Sequence, residues 1–393
     1  MGGLGLAALS SSARALPRWT APRAAESDDE RRLLLVQLSG GNDGLSTVVP
    51  HGDDAYHAAR STTRLETGEL HRLDDYRGLH PELVELHARY QSGHVAIVEG
   101  VGYPNPNRSH FKALEIWHTA DERGRTAGDG WIGRACEAAF GADVESNRVV
   151  HVGDVVPYSV YSGSHPAASL ASPAGYRFVK NADELSQATP MERTERSGRS
   201  ERLAFLRSRM QDAQASSAEI RGVVARYETP VEYPSDDFAA SLRIAAALLT
   251  SGIGTRVVSV ELGKFDTHVD QHDRHTSLMH RLDRGLAAVL ADLERSSVGR
   301  QTLVLAFSEF GRRVQENGSR GTDHGKAGPM FLMGGRVRGG LFGEHPSLTS
   351  LDEGDLAFTT DFRSVYGEVL AGTFDVDAER VLGGRYPSLG LLG

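Results

Sequence analysis

An open α/β sheet, doubly wound and mostly parallel with helices on both faces, is the fold this sequence predicts, and three observations predict it. Residues 33–38, 257–262 and 302–307 are nearly continuous apolar runs, as strands buried on both faces should be. Between such runs, residues 81–92, 111–119, 238–250 and 278–295 carry apolar side chains at helical spacing. Five short polar clusters also sit beside strand-like runs: Asn42-Asp43 after 33–38, Arg108-Ser109-His110 after 95–98, Asp266-Thr267-His268 after 257–262, Glu309 after 302–307, and Asp323-His324 before 330–333. The carboxyl ends of parallel strands share one edge, so these clusters are expected to converge there into a single crevice.

Taken in order, residues 1–30 read as the back half of an export signal and a linker. Gly2 to Leu9 is small and apolar but too short to span a bilayer, and residues 10–25 contain the small residues of a cleavage region. The charged front half of such a signal is missing, which suggests that translation begins upstream of Met1; an ordinary flexible tail is the alternative. Residues 31–393 read as one α/β domain. Residues 131–140 form a helix carrying Cys136, the only cysteine, which reads as a buried structural thiol. Residues 181–234 are rich in Glu, Arg, Ser and Gln around an amphipathic core at 204–227, and read as an inserted helical excursion. After Gly334 the chain is rich in glycine, with a helix expected at 361–371.

Composition excludes some partners. The 393 residues carry a net charge of −9, with 39% hydrophobic and 24% charged residues. No basic tract rises above scattered arginines, so neither nucleic acid nor an anionic membrane surface is implied. No segment is long and apolar enough for a membrane helix.

The polar clusters carry the chemistry. In Ser39-Gly40-Gly41-Asn42-Asp43-Gly44 the glycines allow a sharp turn and a close approach to a ligand, while Asp43 offers a carboxylate; an Asx-turn is the plainer reading. The Gly-x-Gly-x-x-Gly spacing of dinucleotide sites is absent. Asp266-Thr267-His268, continuing through Asp270, His272 and His275, crowds imidazoles and carboxylates, a donor set that suits zinc, iron or manganese. In an extended segment Asp266 and His268 point the same way; in a helix His268, His272 and His275 share a face. Asp323-His324 adds an imidazole beside a glycine, and Glu309 stands at a strand end with Arg312 able to pair with it or with an anionic substrate. Ser109 falls at the start of a helix, where it is either the N-cap or a nucleophile helped by the helix dipole. The Gly-x-Ser-x-Gly elbow is missing, which counts against a serine esterase of that type.

These motifs together resemble the bacterial "domain of unknown function 1501" family, within the alkaline phosphatase and sulfatase-like superfamily. The resemblance rests on Ser39-Gly40-Gly41-Asn42-Asp43-Gly44, Arg108-Ser109-His110-Phe111, Phe265-Asp266-Thr267-His268, Ser308-Glu309-Phe310-Gly311-Arg312 and Asp323-His324-Gly325, and covers residues 33–393. It implies an alkaline phosphatase-like fold and twin-arginine export to the periplasm or beyond. It further implies a first metal site at Asp266, His268 and His324, a second at Asp43 and Glu309, and Ser109 as nucleophile. Here only Thr267 separates Asp266 from His268, and Phe310 replaces a ligand of the second site. The first site would keep a zinc-like character; the second would have oxygen ligands only, suiting magnesium, calcium or manganese. Asp323 is expected to orient His324, with Arg312 or Arg108 assisting catalysis.

The reading is an exported, metal-dependent hydrolase of phosphate or sulfate esters, acting on a small-molecule or glycan ester. Its alternative is an exported carbohydrate- or protein-binding module that kept the fold and lost the chemistry. A serine-type esterase is a third reading.

Overall fold

The computed structural model describes residues 31–123, 128–170 and 215–393. The strand Arg32–Leu38 lies at the heart of a nine-stranded sheet, parallel to Val257–Leu262 on one side and to Thr302–Phe307 on the other. Beyond Val257–Leu262 come Val149–Val152 and Ala168–Leu170, both parallel. Beyond Thr302–Phe307 come Gly328–Met333, Val95–Gly102 and Gly340–Phe342, with Thr360–Asp361 also pairing with Val95–Gly102. Gly328–Met333 runs antiparallel to both neighbours, so its amino end meets the carboxyl ends of the others. That reversal is why a cluster preceding a strand can join clusters that follow strands.

Alternation along the central strand builds two cores. Leu34, Val36 and Leu38 enter one, with Leu242 and Leu248 of the helix Asp237–Thr250 and Leu282 and Leu286 of the helix Gln271–Leu293. Leu33 and Leu35 enter the other, with Ile116 and Trp117 of the helix His110–Thr119, Trp131 and Ile132 of the helix Trp131–Phe140, and Val365 and Tyr366 of the helix Phe362–Thr373. Each such apolar side chain contributes ~1.5–3 kcal/mol on burial, which explains why the central strand has almost no polar positions. Helices on both faces of a mostly parallel sheet make this the doubly wound α/β architecture expected.

One local difference has a physical reason. The helix expected from residue 278 begins at Gln271, because its first turns bury the polar Gln271 and His275, which apolar periodicity does not register. Cys136 is buried and free, and burial pushes its thiol up to about 12.

Of the expected insertion, residues 215–226 are helical. The chain that follows is pegged to the buried carboxylate of Asp292, which accepts from Tyr227 Oη at 2.8 Å, Thr229 Oγ1 at 2.6 Å and Tyr233 Oη at 2.9 Å. Residues 181–214 of that insertion and the expected signal at 1–30 lie outside the described residues. Among the described residues no helix is long and apolar enough to cross a membrane.

Candidate metal centre

Four loops and a hairpin meet at the carboxyl edge of the sheet. The turn after Arg32–Leu38 is drawn tightly against the Phe265-Asp266 backbone: a Cβ added to Gly40, whose φ is +117°, would lie 2.5 Å from the amide nitrogen of Asp266. Only glycine tolerates that approach and that φ. The hairpin formed by Arg312–Glu316 and Thr322–His324 crosses the same edge and delivers His324 opposite Arg312.

Three imidazoles face Asp266. His268 Nε2 lies 3.0 Å from Asp266 Oδ1, and His324 Nε2 lies 3.0 Å from the same oxygen. His268 Nε2 and His324 Nε2 are themselves 3.0 Å apart. His110 approaches the other oxygen, with Nε2 3.7 Å from Asp266 Oδ2. His110, Asp266 and His324 each offer a donor atom, all within 4.8 Å of one another.

The opposite ring nitrogens fix the tautomers. His110 Nδ1 lies 2.8 Å from Glu309 Oε1, His268 Nδ1 3.1 Å from Asp323 Oδ1, and His324 Nδ1 2.8 Å from the Arg108 carbonyl oxygen. Ionised carboxylates and carbonyls only accept, so each Nδ1 carries a proton, and deprotonation of the ring exposes an Nε2 lone pair; the Glu309 contact raises the His110 imidazole above its ordinary pKa. Two such lone pairs 3.0 Å apart beside a carboxylate oxygen repel unless a proton or cation lies among them. In a tetrahedral site with metal–nitrogen bonds of 2.0–2.1 Å the ligand atoms are roughly 3.3 Å apart, close to this spacing. The donor set therefore fits a divalent transition metal.

Charge supports that fit. Partial burial works against the charge on Asp266, but the Arg312 and His324 contacts outweigh it and hold the carboxyl near about 2. Burial likewise opposes charge on Glu309, and the His110 contact together with backbone amides keeps it below the usual carboxylate range. Phe310 is buried and floors the cluster, its ring centroid 4.9 Å from that of His110 and 4.7 Å from that of His324.

The structure brings Asp266, His268 and His324 together; the remaining candidates sit otherwise. Asp43 is fully buried, with Arg60 Nη1 2.6 Å from Oδ2 and Arg60 Nη2 3.2 Å from Oδ1, and it also accepts from Ser46, Gln271 and the Leu45 amide. An ion pair stands where a second metal ligand was expected, because the guanidinium already neutralises the carboxylate. Glu309, 1% exposed, accepts from the Gly40 amide and from His110. It meets the cluster through His110. Arg312 is buried and donates to the carbonyls of Gly40, Gly41, Phe265 and Thr322 and to Asp266, which makes it a clamp on the loops. The Arg108 side chain is held by Asp355, with Nε 2.8 Å from Oδ2, and by Glu353.

Asp323 turns out to orient His268, while His324, expected to be its partner, is oriented by the Arg108 carbonyl. Ser109 is the N-cap of the helix His110–Thr119, is exposed, and makes no capping hydrogen bond with its side chain. The imidazole of His110 was missed as a donor. The Arg108-Ser109-His110 motif carries this imidazole directly beside the Ser109 hydroxyl. Of the nearby histidines, His272 is exposed and pairs with Asp273, whereas His275 is buried against Asn42.

Fold and cluster together define the class: a doubly wound α/β protein with a histidine- and aspartate-lined centre at the carboxyl edge of its sheet. The model of the family described as "Protein of unknown function (DUF1501)" matches residues 94–364, and the chain belongs to that family. The matched stretch contains every member of the cluster and leaves the Ser39–Gly44 turn outside. No curated protein matches the sequence.

Among solved structures, the chain is similar to an alkaline phosphatase superfamily protein from Vibrio parahaemolyticus, with 8% identity and TM-score 0.38, covering 82% of this chain. The chain spans 64% of the length of that protein. It is also similar to the zinc-complexed C-terminal periplasmic domain of EcEptC from Escherichia coli, at 12% identity and TM-score 0.34 over 79% of this chain and 75% of that one. A third similarity is to the PsFucS1 sulfatase from Pseudoalteromonas sp., at 9% identity and TM-score 0.41 over 93% of this chain and 72% of that one. Likeness at these scores is loose and says nothing of activity.

Proposed function

We propose that this protein is a metal-dependent hydrolase of phosphate or sulfate esters, with a divalent transition metal held by Asp266, His268 and His324. The observation that carries the metal reading is the mutual 3.0 Å spacing of His268 Nε2, His324 Nε2 and Asp266 Oδ1, with both Nδ1 atoms committed to acceptors. A metal bound there supplies Lewis acidity toward an ester oxygen and lowers the pKa of a bound water or hydroxyl.

The chain's own residues supply the rest. Ser109 stands at the amino end of a ten-residue helix, where backbone amides and the helix dipole favour an anionic group, and its hydroxyl is not used as a cap. This position supports Ser109 as the nucleophile. Arg312 holds Asp266 ionised and aimed, and so serves the site by positioning. The oxygen-ligand second site is not part of this proposal, since Arg60 already satisfies Asp43. The residues 1–30, with their small apolar start, support a protein exported from the cytoplasm.

The test is elemental analysis after chelation and reconstitution, paired with a screen of chromogenic phosphate, sulfate and phosphonate esters. One metal per chain, lost in His268→Ala, together with turnover that Ser109→Ala removes, is the expected result. A His268→Ala protein that retains full metal content sinks the ligand assignment. Metal without turnover on any ester favours a binding module, a reading supported by the commitment of both Arg108 and Arg312 to protein acceptors.

A further inference from the structure

We propose that His110 is a further protein donor at this centre, acting with Asp266 and His324, whose donor atoms lie with its own within 4.8 Å of one another, and that Glu309, rather than ligating the ion, positions His110; the inference rests on the metal reading above. His110 Nε2 faces Asp266 Oδ2, the oxygen not approached by His268 and His324, at 3.7 Å. Its ring lies 4.4 Å from that of His324, centroid to centroid, edge to face. The two oxygens of Asp266 are thus turned toward different imidazoles.

Glu309 shows the hallmarks of a support. Its Oε1 takes the His110 Nδ1 proton at 2.8 Å and the Gly40 amide at 2.9 Å, and Ser308 Oγ lies 3.1 Å from Oε2. It is 1% exposed, so leaving those donors to reach an ion would strip a buried carboxylate of its hydrogen bonds. What Glu309 does for His110, Asp323 does for His268 and the Arg108 carbonyl does for His324. Each imidazole has one acceptor fixing its tautomer, and a carboxylate in that role also raises the basicity of the ring. Phe310 completes the arrangement by packing against the rings of His110 and His324 together, which fixes the angle between them.

Two consequences follow. Adding the His110 nitrogen to Asp266 and His324 makes the donor set richer in imidazole, which selects a borderline cation such as zinc, cobalt, iron or manganese over magnesium or calcium. His110 is also the first residue of the helix, directly after Ser109, so coordination through His110 would tie the helix start, and with it the residue bearing the Ser109 hydroxyl, to the ion.

The experiment uses the full chain, with affinity for zinc read by competition against a chromophoric chelator and geometry read from the visible spectrum of the cobalt(II) form. His110→Ala is expected to lower zinc affinity at least tenfold and to alter the cobalt bands; His110→Gln checks the same loss in a bulkier variant, and circular dichroism confirms folding. Glu309→Gln is expected to lower affinity by ~10–100-fold while keeping one ion per chain, as loss of a supporting hydrogen bond does. Wild-type affinity and an unchanged cobalt spectrum in His110→Ala overturn the proposal, as does complete loss of metal in Glu309→Gln with His110→Ala unaffected. A wild-type chain that binds neither zinc nor cobalt fails the underlying metal reading itself, and a His268→Ala chain that alone loses metal separates that reading from this one.

Discussion

The Nε2 atoms of His268 and His324 lie 3.0 Å apart across Asp266, although these residues come from a loop and a hairpin far apart in the chain. Opposite each, an acceptor holds the proton on Nδ1. A pair so placed offers two nitrogen lone pairs to one cation. Saturating zinc or manganese, at about 100 times Kd, should therefore stabilise the chelated protein by ~2.7 kcal/mol. That corresponds to a rise in Tm of roughly 3 °C for a chain of this size, measured by differential scanning fluorimetry. The same addition should leave the Tm of His268→Ala unmoved.

Breaking the buried pair of Asp43 and Arg60 should cost stability without costing metal. Both side chains are fully buried, so removing one partner strands the other's charge. Arg60→Met is expected to lose ~3–5 kcal/mol by denaturant unfolding, while zinc stoichiometry stays at that of the wild type. Asp43→Asn combined with Arg60→Met should lose less than the two single changes summed, because neither charge is then left alone.

Phe310→Ala should act on both stability and the centre. Truncating a buried phenylalanine costs ~3–5 kcal/mol, and this ring also backs His110 and His324. Lower unfolding free energy and weaker zinc affinity should appear together. Phe310→Leu should recover most of the stability and less of the affinity, since it fills volume without a flat face.

Acid should destabilise the fold well before the carboxylates titrate. Burial holds His80 at about 3, and His118, His151 and His275 at about 4. Unfolded histidine titrates near 6.5, so below that pH the unfolded chain binds protons that the folded chain refuses. Stability is then flat above about pH 7 and falls between about pH 6.5 and 4, by of order 1–2 kcal/mol per histidine at pH 5. Denaturant midpoints measured from pH 8 to pH 5 check this, and a midpoint that does not move across that range contradicts it.

The fold was legible where burial wrote itself in apolar runs. Residues 33–38, 257–262 and 302–307 are the three central strands because strands covered on both faces admit few polar residues. The strands Val149–Val152 and Ala168–Leu170, nearer the sheet edge and short, left too little pattern to find. In the site, Asp266, His268 and His324 were legible from residue type and from the shared edge. The fate of Asp43 was not, because its partner Arg60 lies in a short helix's wake with no motif to mark it. Arg312 was seen as a charge but not as a clamp, since the carbonyls of Gly40, Gly41, Phe265 and Thr322 that it gathers carry no side-chain signature.

That clamp bears on the response to chelation. Arg312 ties two loops and its own hairpin by main-chain oxygens and neutralises Asp266 in the same stroke. These contacts hold the cradle together by protein groups that do not depend on an ion. Chelation should then empty the chain without unravelling it, and refilling should be quick and reversible.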